Sequence, residues 1–401
     1  MTRLISEEMG CPITQARNVQ VVAPVDIIDS HLQTAQDYPF REVRCSLKGA
    51  TALVVREPVS VVAAVTPWNV PLGIPLQKIV PALLTGCSVV LKPAPETPLV
   101  AYFLAELLAD AGLPPGVVNV VPAGRETSEY LVTHPGVDKV TFTGSSATGR
   151  RIASLCGQDL RRVTLELGGK SAAAVLDDAD LDAAVEALRL GSFRNNGQIC
   201  TLKTRVLVSP RRHEELVDRL VGLVESMPLG DPREPVTQIG HWSARGSGAS
   251  SRDTWRASAR GGATAVVGGG RPDGVTRGWF VQPTVLAGVE PGMRVAREET
   301  FGPVPSVLRY ADEDDAVALA NDSSFGLNGA VFTSDLEHGL AVAARIRTGT
   351  VELNGSPSGQ SAPMGGVKAS GIGRENAPEG LDAYVEPKAI GLPPALAGTL
   401  T

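Results

Sequence analysis

Cysteine and histidine are scarce in this chain of 401 residues, which holds five of each. The cysteines are dispersed, odd in number and free of any Cys-x-x-Cys pair, which argues against a disulfide framework. The histidines lie far apart in sequence, so the spacing of a metal site is absent. These absences leave buried thiols and at most one reactive cysteine among Cys11, Cys45, Cys87, Cys156 and Cys200.

Blocks of basic residues and long apolar segments are also missing. The net charge is −6, and no cluster of lysine and arginine supplies the basic surface that binding to a nucleic acid requires. The start, Met1 to Gly10, has no apolar leader, and the apolar run Ile79 to Leu91 is too short to span a bilayer. The sequence therefore predicts a cytoplasmic protein without nucleic-acid or membrane partners.

Short β-branched runs alternate with amphipathic stretches between residues 87 and 168. The pattern predicts helices at 99–111 and 126–132 that separate strands at 88–92, 117–121 and 139–143. Such crossovers permit parallel pairing, so a doubly wound, Rossmann-like sheet is expected. A second alternating region, from Ser171 to about Thr333, predicts a second α/β domain.

Two residues are candidates for acid, base or nucleophilic chemistry. Cys200 follows the polar segment Asn195-Asn-Gly-Gln-Ile at what reads as the start of a helix, where backbone N–H groups would favour a thiolate. Glu166 stands between two leucines at the end of a strand, where loss of water would raise its pKa towards that of a general base. The alternative for Cys200 is a small buried thiol without a reactive role, and the alternative for Glu166 is an ordinary surface glutamate.

Two turns could bind a ligand. The segment 142–149 ends a strand and opens a helix, so its free N–H groups could receive a pyrophosphate, although it lacks the Gly-x-Gly-x-x-Gly pattern. Asn69 lies between two prolines, a stiff placement suited to an oxyanion donor. An ordinary structural turn stays open as the alternative at both places.

Taken together, these residues resemble the aldehyde dehydrogenase superfamily over nearly the whole chain. The resemblance implies NAD-dependent oxidation of an aldehyde to a carboxylic acid through a cysteine thiohemiacetal and thioester, with NADP as a possible cofactor. It rests on seven motifs in order: Pro67-Trp-Asn-Val-Pro71, Leu91-Lys-Pro-Ala94, Phe142-Thr-Gly-Ser145, Leu165-Glu-Leu-Gly-Gly-Lys170, Gly197-Gln-Ile-Cys200, Glu298-Glu-Thr-Phe-Gly-Pro303 and Gly365-Gly-Val-Lys-Ala-Ser-Gly371.

The resemblance also implies a role for each site residue. Cys200 would be the nucleophile, Glu166 the base of deacylation and Asn69 the oxyanion donor. No metal is implied. The cofactor-binding residues would be Trp68, Lys92, Gly144, Ser145, Gly149, Glu299 and Phe301.

The same resemblance implies a domain organisation. Residues 1–167 would bind the cofactor and include a bridging hairpin at about 38–58. Residues 168–368 would form the catalytic domain, and residues 369–401 would return to the bridging sheet. A homo-oligomer, either a dimer or a tetramer, is expected.

The sequence departs from the family pattern in three places. NAD-preferring relatives often have a glutamate three residues after the lysine that matches Lys92, but Pro95 is there and Glu96 follows. Met364 replaces a phenylalanine expected near the substrate mouth. Family members usually begin upstream of Met1, so we expect exposed apolar surface and strand edges on the cofactor side, or a start codon assigned too late.

Residues 240–257 have no apolar stripe where relatives carry an amphipathic helix. When this segment is back-translated with GC-rich codons and read one base out of phase, the result is a helix-like sequence. We therefore hypothesise two compensating single-base shifts in the gene or in its sequencing. If the segment is real, it should be a disordered loop with Trp242 and Trp255 exposed.

Two other functions compete with aldehyde oxidation. One is a truncated remnant of the family that keeps the site residues without catalysis. The other is acyl transfer to coenzyme A, which is disfavoured because Glu166 supplies a base for hydrolysis.

Overall fold

The computed structural model describes residues 1–243, 262–393 and 396. Its strands are β1 (Arg41–Cys45), β2 (Thr51–Pro58), β3 (Val61–Val65), β4 (Ser88–Lys92), β5 (Val118–Val120), β6 (Lys139–Thr143), β7 (Arg162–Glu166), β8 (Ser171–Val175), β9 (Lys203–Val208), β10 (Thr264–Val267), β11 (Val285–Ala287), β12 (Ser306–Arg309), β13 (Asn328–Phe332), β14 (Thr350–Leu353), β15 (Gly371–Ile372) and β16 (Val385–Leu392).

The α-helices of the described residues are α1 (Thr2–Met9), α2 (Ile13–Gln15), α3 (Ala23–Asp37), α4 (Gly73–Leu84), α5 (Pro98–Asp110), α6 (Arg125–Thr133), α7 (Ser146–Gln158), α8 (Leu181–Phe193), α9 (His213–Glu225), α10 (Arg294–Arg297), α11 (Glu313–Asn321), α12 (Leu336–Ala344) and α13 (Ala377–Asp382). A π-helical segment, Ala16–Val22, joins α2 to α3, and two 3-10 helices occupy Arg194–Gly197 and Lys368–Ser370.

A six-stranded sheet has the order β15-β7-β6-β3-β4-β5. Strands β3 to β7 pair in parallel, and β15 is antiparallel to β7. The α/β fold predicted from the alternating pattern is confirmed, with each predicted strand within one residue of the observed one. From β3 the chain runs outward through β4 and β5 and then returns to β6 on the other side of β3. Parallel sheets bind ligands at the carboxyl ends of strands where the order reverses in this way.

A seven-stranded sheet has the order β10-β11-β12-β9-β8-β13-β14, and only β10 pairs antiparallel among its described strands. Helices cover both faces, so β8, β9 and β13 are buried along their whole length. Alanines at positions 172–174 of β8 leave room for larger side chains from the helices, such as Leu188 of α8 and Leu216 of α9. Strand β7 of the six-stranded sheet ends at Glu166, and β8 of this sheet begins at Ser171, so the two sheets lie side by side there. They meet around Cys200.

The third sheet joins the two ends of the chain. Strands β1, β2 and β16 pair antiparallel, and β16 follows β2 residue by residue from Val385↔Pro58 to Leu392↔Thr51. The domain boundaries and the homo-oligomeric state stay predictions. No helix in the described residues is long and apolar enough to cross a membrane.

An apolar face is exposed on α5, beside the edge strand β5. Leu99 is 51% exposed, Tyr102 is 48% exposed and Leu107 is 46% exposed, and Phe103 lies among them. Among the described residues, β5 is the terminal strand of the six-stranded sheet.

Trp242 is 2% exposed, so the prediction of an exposed Trp242 is wrong. Its indole Nε1 donates to the Asn196 carbonyl oxygen at 3.1 Å, and its main-chain N donates to the Trp279 carbonyl oxygen. The ring packs against Gly302, where a Cβ would come within 2.7 Å of it. Trp242 is buried because its ring packs beside a glycine that is distant in sequence. No local sequence pattern reveals such a contact. Trp255 and the rest of that segment from residue 244 lie outside the described residues.

The substitution Trp242→Ala should lower the free energy of unfolding by about 3–5 kcal/mol, because it removes a buried aromatic ring and leaves a cavity. Urea denaturation measures the change. Leu336→Ala, at a position 59% exposed, is the control and should cost less than about 0.5 kcal/mol. Equal, small costs for both variants would contradict the buried position of Trp242.

Candidate active site

A cleft of about 280 Å³ lies at the carboxyl ends of β3, β6 and β7, where the two larger sheets meet. The structure brings together seven of the ten residues predicted for the site. Lys92 lines a neighbouring cavity, whereas Glu166 and Gly149 line neither. The seven are Trp68, Asn69, Gly144, Ser145, Cys200, Glu299 and Phe301.

Cys200 lies in a turn between the 3-10 helix Arg194–Gly197 and β9, so the prediction that it begins a helix is wrong. The reason is the backbone of the preceding residues: Asn195, Asn196 and Gly197 have φ of 55°, 59° and 77°, which right-handed helix does not allow. A Cβ on Gly197 would lie 1.9 Å from the Gly302 carbonyl carbon, so glycine is required.

The environment of Cys200 does not favour a thiolate. Burial, and then the negative charges of Glu299 and Glu166, raise the pKa of the thiol to about 12. A hydrogen bond from the Cys200 main-chain N–H, and then the charge of the Arg194 guanidinium, oppose this rise. The expectation of a thiolate favoured by a helix terminus is therefore also wrong, and the thiol needs further activation.

Asn69 follows β3 and is 4% exposed. Its side-chain Nδ2 donates to the Gln198 main-chain carbonyl oxygen at 2.8 Å. Its main-chain carbonyl oxygen accepts hydrogen bonds from the side-chain amides of Gln20 and Asn195. A primary amide carries two N–H groups, so the side chain is fixed by one and keeps a second for the cleft. Asn69 can thus act as a positioned donor near Cys200.

Glu299 is a carboxyl group held in the cleft with little water. Burial raises its pKa to about 7, and a hydrogen bond from the Gly169 main-chain N to Oε1, 3.0 Å long, opposes the rise. A Cβ on Gly168 would come within 2.3 Å of Oε2, so the glycine admits the carboxyl group. Near neutral pH this group can take up or release a proton.

Glu166 ends β7, opposite Gly371 of β15. It is 3% exposed, and neither carboxyl oxygen accepts a hydrogen bond from any residue that the structure describes. Burial, and then the charge of Glu375, raise its pKa well above the ordinary value. Its charge also reaches Cys200, so the two groups are electrostatic neighbours. A carboxyl with a high pKa and no partner is suited to proton transfer.

A buried ion pair behind Glu166 was missed by the sequence analysis. Lys78 of α4 pairs with Glu375, and its Nζ also donates to Thr141 Oγ1 at 3.2 Å. The Lys78 charge lowers the pKa of Glu166, against the larger effect of burial. The two partners are 297 residues apart in sequence, so no local pattern could connect them.

The turn after β6 matches the predicted pyrophosphate-binding turn in its geometry. Ser145 is the N-cap of α7, and its Oγ accepts a bond from the Thr148 main-chain N at 3.3 Å. A Cβ on Gly144 would come within 2.4 Å of the Phe142 ring. Gly149 does not line the cleft: it packs on Leu167, where a Cβ would come within 2.5 Å of a methyl group.

A second cavity, of about 470 Å³, lies between α6 and α7. Its apolar wall can take a planar aromatic base, and Lys92 at the end of β4 stands among its polar residues. The N-terminus of α7 separates this cavity from the cleft at Cys200, so a dinucleotide with its pyrophosphate at that terminus would reach both. The wall is formed by Val65, Val132, Phe142, Ile152 and Leu155.

The fold and site define a dehydrogenase built on a dinucleotide-type sheet with a cysteine in its cleft. The family model of the aldehyde dehydrogenase family matches residues 1–390, and the chain belongs to that family. The predicted resemblance, the fold class and the prediction of an enzyme are confirmed.

Relatives and solved structures agree with this membership. The chain is 47% identical to geranial dehydrogenase of Castellaniella defragrans, over 97% of this chain and 81% of the relative. It is 42% identical to betaine aldehyde dehydrogenase of Rhizobium leguminosarum, over 92% of this chain and 74% of the relative. A crystal structure of Mycobacterium tuberculosis aldehyde dehydrogenase complexed with NAD+ superposes with a TM-score of 0.96 at 43% identity, covering 98% and 81% of the two chains.

The Pseudomonas syringae aldehyde dehydrogenase C mutant, complexed with NAD+ and octanal, gives a TM-score of 0.94 at 39% identity, covering 97% of this chain and 80% of that one. Oxidation of an aldehyde is thus the general activity of the family to which the chain belongs.

The substitution Glu299→Gln should speed alkylation of Cys200 by iodoacetamide several-fold above about pH 7. Glu299 is charged in that range and disfavours the thiolate, so its removal lowers the thiol pKa. Below about pH 6 Glu299 is protonated, and the two proteins should react alike. Mass spectrometry measures the rate, with exposed Cys45 as the internal reference.

Glu298→Gln is the matched control, because the neighbouring Glu298 is paired with Arg294 at the surface. It should leave the alkylation rate unchanged. An equal effect of both substitutions, or none from Glu299→Gln at high pH, would contradict the electrostatic contact between Glu299 and Cys200.

Proposed function

We propose that this chain oxidises an aldehyde to the carboxylic acid with NAD+ as hydride acceptor and Cys200 as nucleophile. The proposal rests on one observation. Cys200, the Asn69 amide and the buried carboxyl groups of Glu299 and Glu166 lie together where the strand order of the six-stranded sheet reverses. NAD+, when bound, supplies a positive charge beside the thiol and accepts the hydride. Relatives of known structure contain that cofactor.

The residues around Cys200 fit the first half of the reaction. The thiolate adds to the aldehyde carbon, and the resulting thiohemiacetal oxygen carries a developing negative charge. The free N–H of Asn69 and the Cys200 main-chain N–H are the donors for that oxyanion. Asn69 needs no rearrangement, because Gln198 already fixes its side chain. Loss of hydride from the thiohemiacetal leaves a thioester on Cys200.

Glu166 fits the second half, in which water hydrolyses the thioester. Its raised pKa makes it a stronger base than an ordinary glutamate once it is ionised, so it can take a proton from the attacking water. The charges of the Lys78–Glu375 pair act on it in opposite directions, since Glu375 raises its pKa and Lys78 lowers it, and both effects are smaller than that of burial. Hydrolysis should therefore slow as pH falls through the raised pKa of Glu166, because the protonated acid cannot accept a proton.

The substitution Cys200→Ala should reduce NADH formation by about 10³-fold or more, because it removes the covalent intermediate. A panel of geranial, octanal and betaine aldehyde serves as substrates, and absorbance of NADH measures the rate. Cys45→Ala is the matched control at an exposed cysteine and should keep full activity. A folded Cys200→Ala protein with undiminished turnover would contradict the proposed nucleophile.

The substitution Glu166→Gln should give a rapid burst of about one NADH per site, followed by a steady rate about 10²–10⁴-fold below normal. The thioester then forms without a base to hydrolyse it. Stopped-flow absorbance follows the burst, and mass spectrometry detects the acyl group on Cys200. An unchanged steady rate without a burst would remove Glu166 from deacylation. An acyl-CoA product on adding coenzyme A to the native protein would instead favour the acyl-transfer alternative.

A further inference from the structure

Arg194 is a cationic side chain near Cys200 that the reaction proposed above does not use. It follows α8 and begins the 3-10 helix Arg194–Gly197, which leads into the turn of Cys200. A hydrogen bond from the Gln198 main-chain N to the Asn195 carbonyl oxygen, 3.0 Å long, closes this part of the chain. Arg194 and Cys200 are therefore held close together, whereas six residues of extended chain would span about 20 Å.

The guanidinium group of Arg194 has no protein partner among the described residues. Its side chain is half-buried, its Nε is closed off from water, and none of its nitrogens makes a hydrogen bond or an ion pair with a residue that the structure describes. Arg205 of β9 shows the usual arrangement, since all three of its side-chain nitrogens donate to main-chain carbonyl oxygens. Withdrawing a guanidinium from water without such acceptors is costly. Arg194 is thus placed to bind an acceptor that comes from outside the chain.

The two nearby groups of opposite charge do not take this place. Burial lowers the pKa of Arg194, and the charge of Glu352 opposes that effect before the charge of Cys200 does. Glu352, however, already accepts hydrogen bonds from Lys203 and Asn328. Among the named influences on the pKa of the Cys200 thiol, the charge of Arg194 is the smallest. The guanidinium is therefore not the counter-ion of the thiolate.

The balance of charge around Arg194 indicates what the acceptor is. Lys203 and Glu352 form an ion pair, so their charges offset each other and the guanidinium leaves one positive charge over. A guanidinium fork matches one carboxylate, because two parallel N–H groups bond to its two oxygens. A phosphate monoester carries nearly two negative charges at neutral pH and would meet only this one cation. A carboxylate is therefore the group that fits.

We propose that the aldehyde substrate carries a carboxylate at its other end, and that Arg194 binds this carboxylate while Cys200 attacks the aldehyde carbon. The proposal rests on the dehydrogenase function proposed above and deepens it by naming the substrate class, a short ω-oxo acid. The chain is short because both residues belong to one turn. Arg194 is the specificity residue, since its bond to the carboxylate separates such a substrate from a neutral aldehyde of equal length.

The test uses 4-oxobutanoate and butanal, which share a four-carbon chain and differ in the carboxylate that replaces the terminal methyl group. The native protein is compared with Arg194→Gln, which removes the charge, and with Arg194→Lys, which keeps the charge without the planar fork. Arg211→Gln is the matched control, because Arg211 is 71% exposed and pairs with Asp177 at the surface. Absorbance of NADH gives kcat and KM for each aldehyde.

A second measurement does not need turnover. Butanoate has the carboxylate of 4-oxobutanoate without its aldehyde group, and butanamide is the neutral counterpart. Each compound is added while iodoacetamide alkylates Cys200, and mass spectrometry follows the rate with exposed Cys45 as the internal reference. A molecule bound by Arg194 should slow the alkylation of Cys200 and leave that of Cys45 unchanged.

We expect the native protein to have a kcat/KM for 4-oxobutanoate about tenfold or more above that for butanal. Arg194→Gln should lower the 4-oxobutanoate value by about tenfold or more, chiefly through KM, and leave the butanal value within about twofold. Arg194→Lys should lie between the two, and Arg211→Gln should match the native protein. Butanoate should protect Cys200 in the native protein but not in Arg194→Gln, and butanamide should protect it in neither.

Equal kcat/KM values for the two aldehydes in the native protein would overturn the proposal. Equal losses for both aldehydes in Arg194→Gln would overturn it as well, because Arg194 would then act on the thiol or on the fold. Either result leaves the dehydrogenase function standing. If neither aldehyde is oxidised but butanoate still protects Cys200 through Arg194, the carboxylate site stands and the dehydrogenase function is overturned.

Discussion

The site depends on how closely the main chain approaches itself around Cys200. A Cβ on Gly169 would lie 2.3 Å from the Cys200 carbonyl oxygen, and one on Gly197 would overlap the Gly302 main chain. These glycines let the segment after β7, the turn before Cys200 and the segment 299–302 converge without side chains between them. Because the approach leaves little room for water, it also sets the electrostatics of every titratable group in the cleft.

Burial is the first cause of the raised pKa at three acids: Cys200, Glu299 and Glu166. The charges of Glu299 and Glu166 raise the pKa of Cys200 further, so the thiolate is least favoured when both carboxyl groups are ionised. The cleft accordingly favours neutral acids when it holds no positive charge. In the reaction that we propose, a cation beside Cys200 reverses that preference for the thiol, and Glu166 acts as the base after the thioester has formed.

The sequence allowed us to predict the features that depend on residues close together in the chain. The strands of the six-stranded sheet follow from short β-branched runs between helical stretches, and Asn69, Ser145 and Cys200 belong to short motifs. Prediction failed where distant segments decide the outcome. The buried Trp242 depends on Gly302, and the Lys78–Glu375 pair joins α4 to a segment 297 residues away. The prediction of a helix at Cys200 was wrong because Asn195, Asn196 and Gly197 have positive φ values, and Gly197 packs directly on the Gly302 main chain.

The segment 371–392 supplies more to the candidate site than its distance in sequence suggests. Its strand β15 pairs with β7 at Glu166, so it fixes the main chain of the proposed base. Glu375, four residues after Gly371, contributes the charge that raises the Glu166 pKa further, and it holds Lys78 beside the same carboxyl. The next strand, β16, pairs along the whole of β2. Anything that loosens this pairing therefore disturbs both the position and the acidity of Glu166, although no residue of β16 lines the cleft.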